Sequence, residues 1–173
     1  MGFIVSGGRL QHSCGHQNCG KFPSACNCAN HMAHQPHCPG EMTDHGPEPW
    51  VMDINQATLA NTNYRTALWT GDRLQLTVMS IPPGGDIGLE MHPDVDQFLR
   101  FEGGEGLAQM GKGQHQLCYE RPVQADSAMF IPAGTWHNVT NTGDAALQLY
   151  SIYAPPNHPW GTVQATKADA GEE

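Results

Sequence analysis

The sequence predicts an all-β domain, and three observations carry that reading. From Trp50 onward the chain divides into short apolar or alternating runs of roughly four to eight residues, the length of strands rather than helices. Clusters of Gly, Pro, Asp and Asn close each run at the spacing expected of a sandwich or barrel. The 173 residues include 20 Gly and 13 Pro, too frequent a punctuation for long helices. A small jelly-roll barrel fits this pattern best, and the length suits one domain with a small appendage.

Taken in order, residues 1–48 form a Cys/His-rich segment with few large apolar side chains, and EMTDHGPEPW reads as the linker out of it. DINQATLANTNY (53–64) has mixed helical character, with Asp53 placed to cap a short helix. Strands are then expected at LQLTVMSI (74–81), DIGLEMH (86–92), QFLRFE (97–102) and LAQM (107–110). QLCYE, AMFIP, WHNVT and ALQLYSIY complete the set, so the barrel domain is expected over 49–163. After Tyr153 the sequence looks irregular, and its acidic end, 164–173, is expected to be a flexible tail.

Composition excludes several classes of protein. No run approaches the roughly 18 apolar residues of a membrane helix. Eight Lys and Arg stand against 17 Asp and Glu, a formal net charge of -9, which opposes contact with nucleic acid. The opening MGFIVSGGRL is too short an apolar stretch for a secretory signal, so a cytoplasmic protein is expected.

Five of the six Cys fall between Cys14 and Cys38. Disulfides are not the default in a chain without an export signal. Cys14, Cys19, Cys26, Cys28 and Cys38 lack the paired CxxC knuckles of a zinc ribbon. Their thiolates could nonetheless close around a structural Zn or another thiophilic metal, and a redox-active or unstructured segment is the other reading.

Within the barrel, strand alternation puts Asp86, Gly88, Glu90 and His92 on one face, with Ile87, Leu89 and Met91 on the other. The PDVD turn reverses the chain, so Gln97 can return its side chain toward the same cavity. His137 begins a strand just after a Pro-x-Gly turn. Glu90, His92 and His137 make two imidazoles and one carboxylate, a set suited to Fe(II), Mn(II) and similar ions.

The spacing of these residues resembles the cupin superfamily. Its first motif, G(x)5HxH(x)4E(x)6G, is met by Gly84, Glu90-x-His92, Gln97 and Gly104 with two ligand types changed. Its second, G(x)5PxG(x)2H(x)3N, is met by Asp126, Pro132-x-Gly134, His137 and Asn141, with only the leading Gly replaced. Asp is among the few residues that tolerate the left-handed turn geometry such a Gly serves. The resemblance covers roughly residues 70–155 and implies a double-stranded β-helix with one divalent transition metal inside: Fe, Mn, Ni, Co or Zn. By carry-over the ligand positions are Glu90, His92, Gln97 and His137. A neutral amide is a weaker ligand than a carboxylate, so Gln97 either ligates, orients a ligand or meets the substrate. Cupins that open unsaturated uronate rings are similar in having Gln there. The text around the motifs is also similar to cupins of the mannose-6-phosphate-isomerase-like group, and family resemblance implies a homodimer.

The function expected is metal-dependent chemistry on a small polar, oxygen-rich molecule: isomerisation, epimerisation or ring opening. Gln97 and Tyr153 are the candidate catalytic residues, with His115 a weaker candidate base on a polar turn. Arg65, Arg100, Gln75 and Tyr153 are candidates for holding substrate. Trp69, Phe98, Phe101, Trp136 and Tyr150 are expected to pack the core. Which face of ALQLYSIY looks inward stays open. A second reading is an Fe(II)-dependent dioxygenase, and a third is a non-catalytic binding or metal-storage barrel.

Overall fold

The computed structural model describes residues 42–171. The proposed cysteine cluster at Cys14, Cys19, Cys26, Cys28 and Cys38 lies outside the described residues. The described chain runs through helix α1 (Ile54–Ala60), then β1 (Arg65–Thr70), β2 (Gln75–Ile81), β3 (Asp96–Gly103), β4 (Glu105–Gly111) and β5 (Tyr119–Gln124). It continues with β6 (Ala128–Ile131), β7 (Trp136–Asn141), β8 (Leu147–Ala154), β9 (Val163–Gln164) and a 3-10 helix, Lys167–Ala170. Two sheets form, one ordered β6-β3-β8-β2-β1-β9 and the other β5-β4-β7, with antiparallel pairing throughout. The predicted all-β jelly-roll character is observed.

Alternation explains how these strands make a core. In β8, Leu147, Leu149, Ser151 and Tyr153 are buried while Gln148, Tyr150 and Ile152 are partly exposed. In β3, Gln97, Leu99 and Phe101 are the buried set. With Met79, Ile81, Ile87, Val139 and Ile131 they fill the space between the sheets. The face of β8 that the sequence left open is thereby assigned. Of the five aromatics expected inside, only Phe101 is fully buried. Phe98 instead meets Phe130 and Tyr150 on the outer face, because Phe98 and Tyr150 alternate with the inward residues. Tyr64, which periodicity did not single out, is buried and donates from its hydroxyl to the Ile87 carbonyl at 3.0 Å.

Helix α1 starts as expected, with the Asp53 carboxylate accepting from the Gln56 N–H. β1 was not anticipated from the sequence, and it pairs with both β2 and β9. The stretch read as a linker is instead fastened to the barrel. Asp44 accepts from the Gly46 N–H, the Thr70 hydroxyl and the Gly161 N–H. Trp69 and Trp160 donate from their indole nitrogens to the Glu48 and Gly46 carbonyls.

The stretch from 164 onward also differs from the loose tail expected of it. Gln164 pairs with Arg65, Asp169 accepts from the Thr166 N–H and hydroxyl, and the Lys167 ammonium lies 2.8 Å from Asp86. All of these contacts but the Thr166–Asp169 pair are remote in sequence, so composition alone could not reveal them.

Candidate metal centre

The chain from Gly84 to His92 runs antiparallel to β7 and carries two of the three candidate ligands. Backbone hydrogen bonds join Gly84 to Asn141, Ile87 to Val139, and Glu90 to His137 in both directions. It is not the continuous strand predicted: only Asp86 and Glu90 form bridges, and Gly88 has φ +81. Gly88 takes that left-handed conformation because it has no Cβ, and the segment kinks between the two bridges. The ligand-bearing residues still converge as the alternation expected.

The candidate ligand atoms of Glu90, His92 and His137 all lie within 4.8 Å of one another. The same carboxylate oxygen of Glu90, Oε1, sits 3.2 Å from His137 Nε2 and 3.3 Å from His92 Nε2. His137 is fully buried, and its Nδ1 lies 2.9 Å from the Thr135 carbonyl oxygen. That oxygen can only accept, so Nδ1 carries the hydrogen and a neutral ring turns the lone pair of Nε2 toward Glu90. Two acceptors then face each other across 3.2 Å. Such an arrangement calls for a positive charge between them, either a proton or a metal cation, so the donor set fits a divalent ion. Burial raises the Glu90 carboxyl, but its hydrogen bonds with His137 and His92, together with the positive charge of those rings when protonated, outweigh it and hold the group down at about 2. A carboxylate is therefore what the site presents at neutral pH.

Gln97 belongs to the same wall. It is buried, its Nε2 donates to Ser151 Oγ at 3.1 Å, and its Oε1 has no protein partner. Cross-strand pairing places it beside Tyr153, whose buried ring meets His92 edge-on at 5.9 Å. A cavity of about 290 Å³, lined by Met110, Gly111, Lys112, Tyr119, Gly134 and Thr135, opens beside the residue that orients His137.

Local backbone geometry accounts for the glycine spacing of the motifs. Gly84, Gly104 and Gly134 have φ of +74, +81 and +77, and Asp126, standing where a Gly is usual, has φ 69. Asn141 closes the second motif structurally by donating to the Ile81 and Ala145 carbonyls.

Other candidates take different roles. Gln75 is buried and fully occupied: it donates to Thr70 Oγ1 and the His158 carbonyl and accepts from the Asn157 and His158 N–H groups. It clamps a loop and has no group left for substrate. Arg100 faces outward and pairs with Asp126 and Glu102. Arg65 is buried and donates to Gln164 Oε1. His115 lies exposed on a turn, away from the core. The residue that sequence reasoning missed is His158, whose ring meets Tyr153 edge-on at 5.0 Å. It stands in a Pro-rich stretch without periodicity, and its sequence offers no signal beyond being a lone His between Asn and Pro.

A jelly-roll barrel with two imidazoles and a carboxylate converging on its inner wall defines a class of small β-barrels built around a candidate metal site. Comparison with known proteins agrees. Residues 77–153 match the Cupin domain model. Protein YrkC of Bacillus subtilis is 60% identical over 129 residues, which span 75% of this chain and 69% of that protein. A protein of Acanthamoeba polyphaga mimivirus is 36% identical over 123 residues, 70% of this chain and 75% of its own. The crystal structure of BH2720 from Bacillus halodurans is similar at 60% identity and TM-score 0.74, over 75% of this chain and 98% of that one. The chain belongs to the cupin superfamily.

Proposed function

We propose that this cupin is a metal-dependent enzyme acting on a small polar, oxygen-rich substrate of sugar or sugar-acid type, by isomerisation, epimerisation or ring opening. One observation carries the reading: a single Glu90 carboxylate oxygen faces the Nε2 atoms of two histidines at 3.2 and 3.3 Å. Glu90, His92 and His137 would hold a divalent ion, which when bound polarises a carbonyl or enediol of the substrate. Thr135 keeps His137 in the ligating tautomer. Gln97 directs an amide oxygen from a buried wall, fixed by its bond to Ser151, and so orients either the ion or a substrate hydroxyl. Tyr153 brings a buried phenol beside His92, where it can exchange a proton with bound substrate.

The test is elemental analysis of the full chain and of a His92→Ala/His137→Ala variant, followed by incubation with aldoses, ketoses and uronates in deuterated water. We expect metal in the wild type beyond that retained by the variant, and solvent deuterium in a substrate C–H bond only with the wild type. Equal metal content in both proteins would overturn the reading.

A second reading rests on the same ligands, since two His and one carboxylate also suit Fe(II) and oxygen activation. Oxygen uptake after anaerobic Fe(II) loading would favour it. Tight binding without turnover would favour a non-catalytic barrel. The N-terminal cysteines are proposed as a separate structural Zn site on ligand chemistry alone. A homodimer is also proposed, supported by the 71% exposure of Phe130 on the edge strand β6; sedimentation tests it.

A further inference from the structure

The stretch between β8 and β9 has no regular structure, yet one side chain fixes its Asn157–His158 turn. Gln75, buried in β2, takes both the N–H and the carbonyl of His158 and the N–H of Asn157, at 2.9, 2.9 and 3.2 Å. This clamp sets the His158 ring edge-on against Tyr153, with centroids 5.0 Å apart and planes at 85°. Tyr153 in turn meets His92, and His92 meets His137 at 5.6 Å. Four rings therefore step from the loop to the candidate metal centre.

At the loop end, His158 Nε2 is shut off from solvent and has no hydrogen-bond partner in the protein. Burial, and then the Arg65 charge, hold the imidazole down at about 4; His92 adds to this and Glu90 opposes it. The ring is uncharged at neutral pH, with one nitrogen a donor and the other an acceptor. A buried nitrogen of either kind is unfavourable until something pairs with it.

We propose that His158 is a ligand-binding residue beside this centre, its Nε2 exchanging a hydrogen bond with a hydroxyl of a molecule whose oxygen end sits at Glu90, His92 and His137. A hydroxyl both donates and accepts, so it satisfies Nε2 in either tautomer. The ligand class is thereby a hydroxylated carboxylate or carbonyl compound rather than a simple one. This inference rests on the metal-centre reading above and adds the specificity element to it.

The test uses the full chain, labelled with 15N-histidine and loaded with Zn²⁺. Glycolate, 3-hydroxypropionate and 4-hydroxybutyrate are compared with acetate, propionate and butyrate. Zn²⁺ is expected to shift the ring nitrogens of His92 and His137. A hydroxy acid of the right length should then shift His158 Nε2 and bind about tenfold more tightly than its deoxy counterpart, which leaves that nitrogen unmoved. His158→Phe, which keeps the ring packing against Tyr153, should bring the affinity ratio to about one without changing Zn²⁺ affinity, and His158→Gln should restore part of it. Zn²⁺ binding with no hydroxyl preference, or with the same preference in His158→Phe, overturns this inference alone. No shift of His92 and His137 on adding Zn²⁺ overturns the metal-centre reading and this inference with it.

Discussion

Two titratable groups near the centre are perturbed in ways that make separate predictions. Removing the charge of Glu90 while keeping its shape, as in Glu90→Gln, leaves two imidazoles without the anion they share. Affinity for Mn²⁺ or Zn²⁺ at the barrel should fall about 100-fold or more, measured by calorimetry on the full chain; a change under about threefold would count against Glu90 as ligand. His158 is lowered from 6.5 to about 4, so the unfolded chain binds its proton more readily than the folded one. The resulting stability is fully present above pH 6.5 and is lost as the pH falls toward 4, by about 3 kcal/mol in all. His158→Gln has no such proton to take up, and its melting temperature should decline less than wild type between pH 7 and pH 4.5. At this scale the sequence was informative where residues are close along the chain. Glu90, His92, Gln97 and His137 could be read from spacing, and the left-handed Asp126 from its place in the motif. His158 could not, because what makes it notable is Tyr153 and Gln75 in other strands.

Among the elements, the segment from Gly84 to His92 and the loop holding His158 position the site, and each depends on a remote partner. The first is laid against β7 by backbone bonds, with Lys167 reaching Asp86 near its start. In the second, the Gln75 amide alone holds the backbone of Asn157 and His158. Gln75→Leu keeps an apolar body of similar size but leaves two N–H groups and a carbonyl of the loop unpaired, at a cost of about 2–4 kcal/mol. Hydrogen exchange should then accelerate at Asn157 and His158 while the amides of β3 stay protected. Uniform loss of protection would show instead that Gln75 supports the whole sheet. The sequence suggested Gln75 as a substrate contact because a polar side chain on a strand face looks available. Three of its four bonds reach more than 80 positions away, to Asn157 and His158, so no local pattern could show that it is already occupied.

For the whole molecule, the two sheets share a core in which Leu149 is fully buried between them. Leu149→Ala should cost about 2–5 kcal/mol in urea unfolding, by lost apolar burial and the cavity left behind. A cost under about 1 kcal/mol would mean that the sheets collapse readily onto the gap. Among the described residues no helix is long and apolar enough to cross a membrane, in line with the hydropathy of the sequence.

The sequence by itself determined the strand texture, the turns and the placing of Glu90 and His92 on one face of their segment. Each of these depends on alternation, φ preference and spacing over a few residues. Only the tertiary structure decided that Ser151 and Tyr153 look inward, that 42–50 and 163–171 dock on the barrel, and that His158 joins the Tyr153 edge. Those outcomes turn on which face of a strand the second sheet covers and on hydrogen bonds between remote residues, and neither is set until the barrel closes.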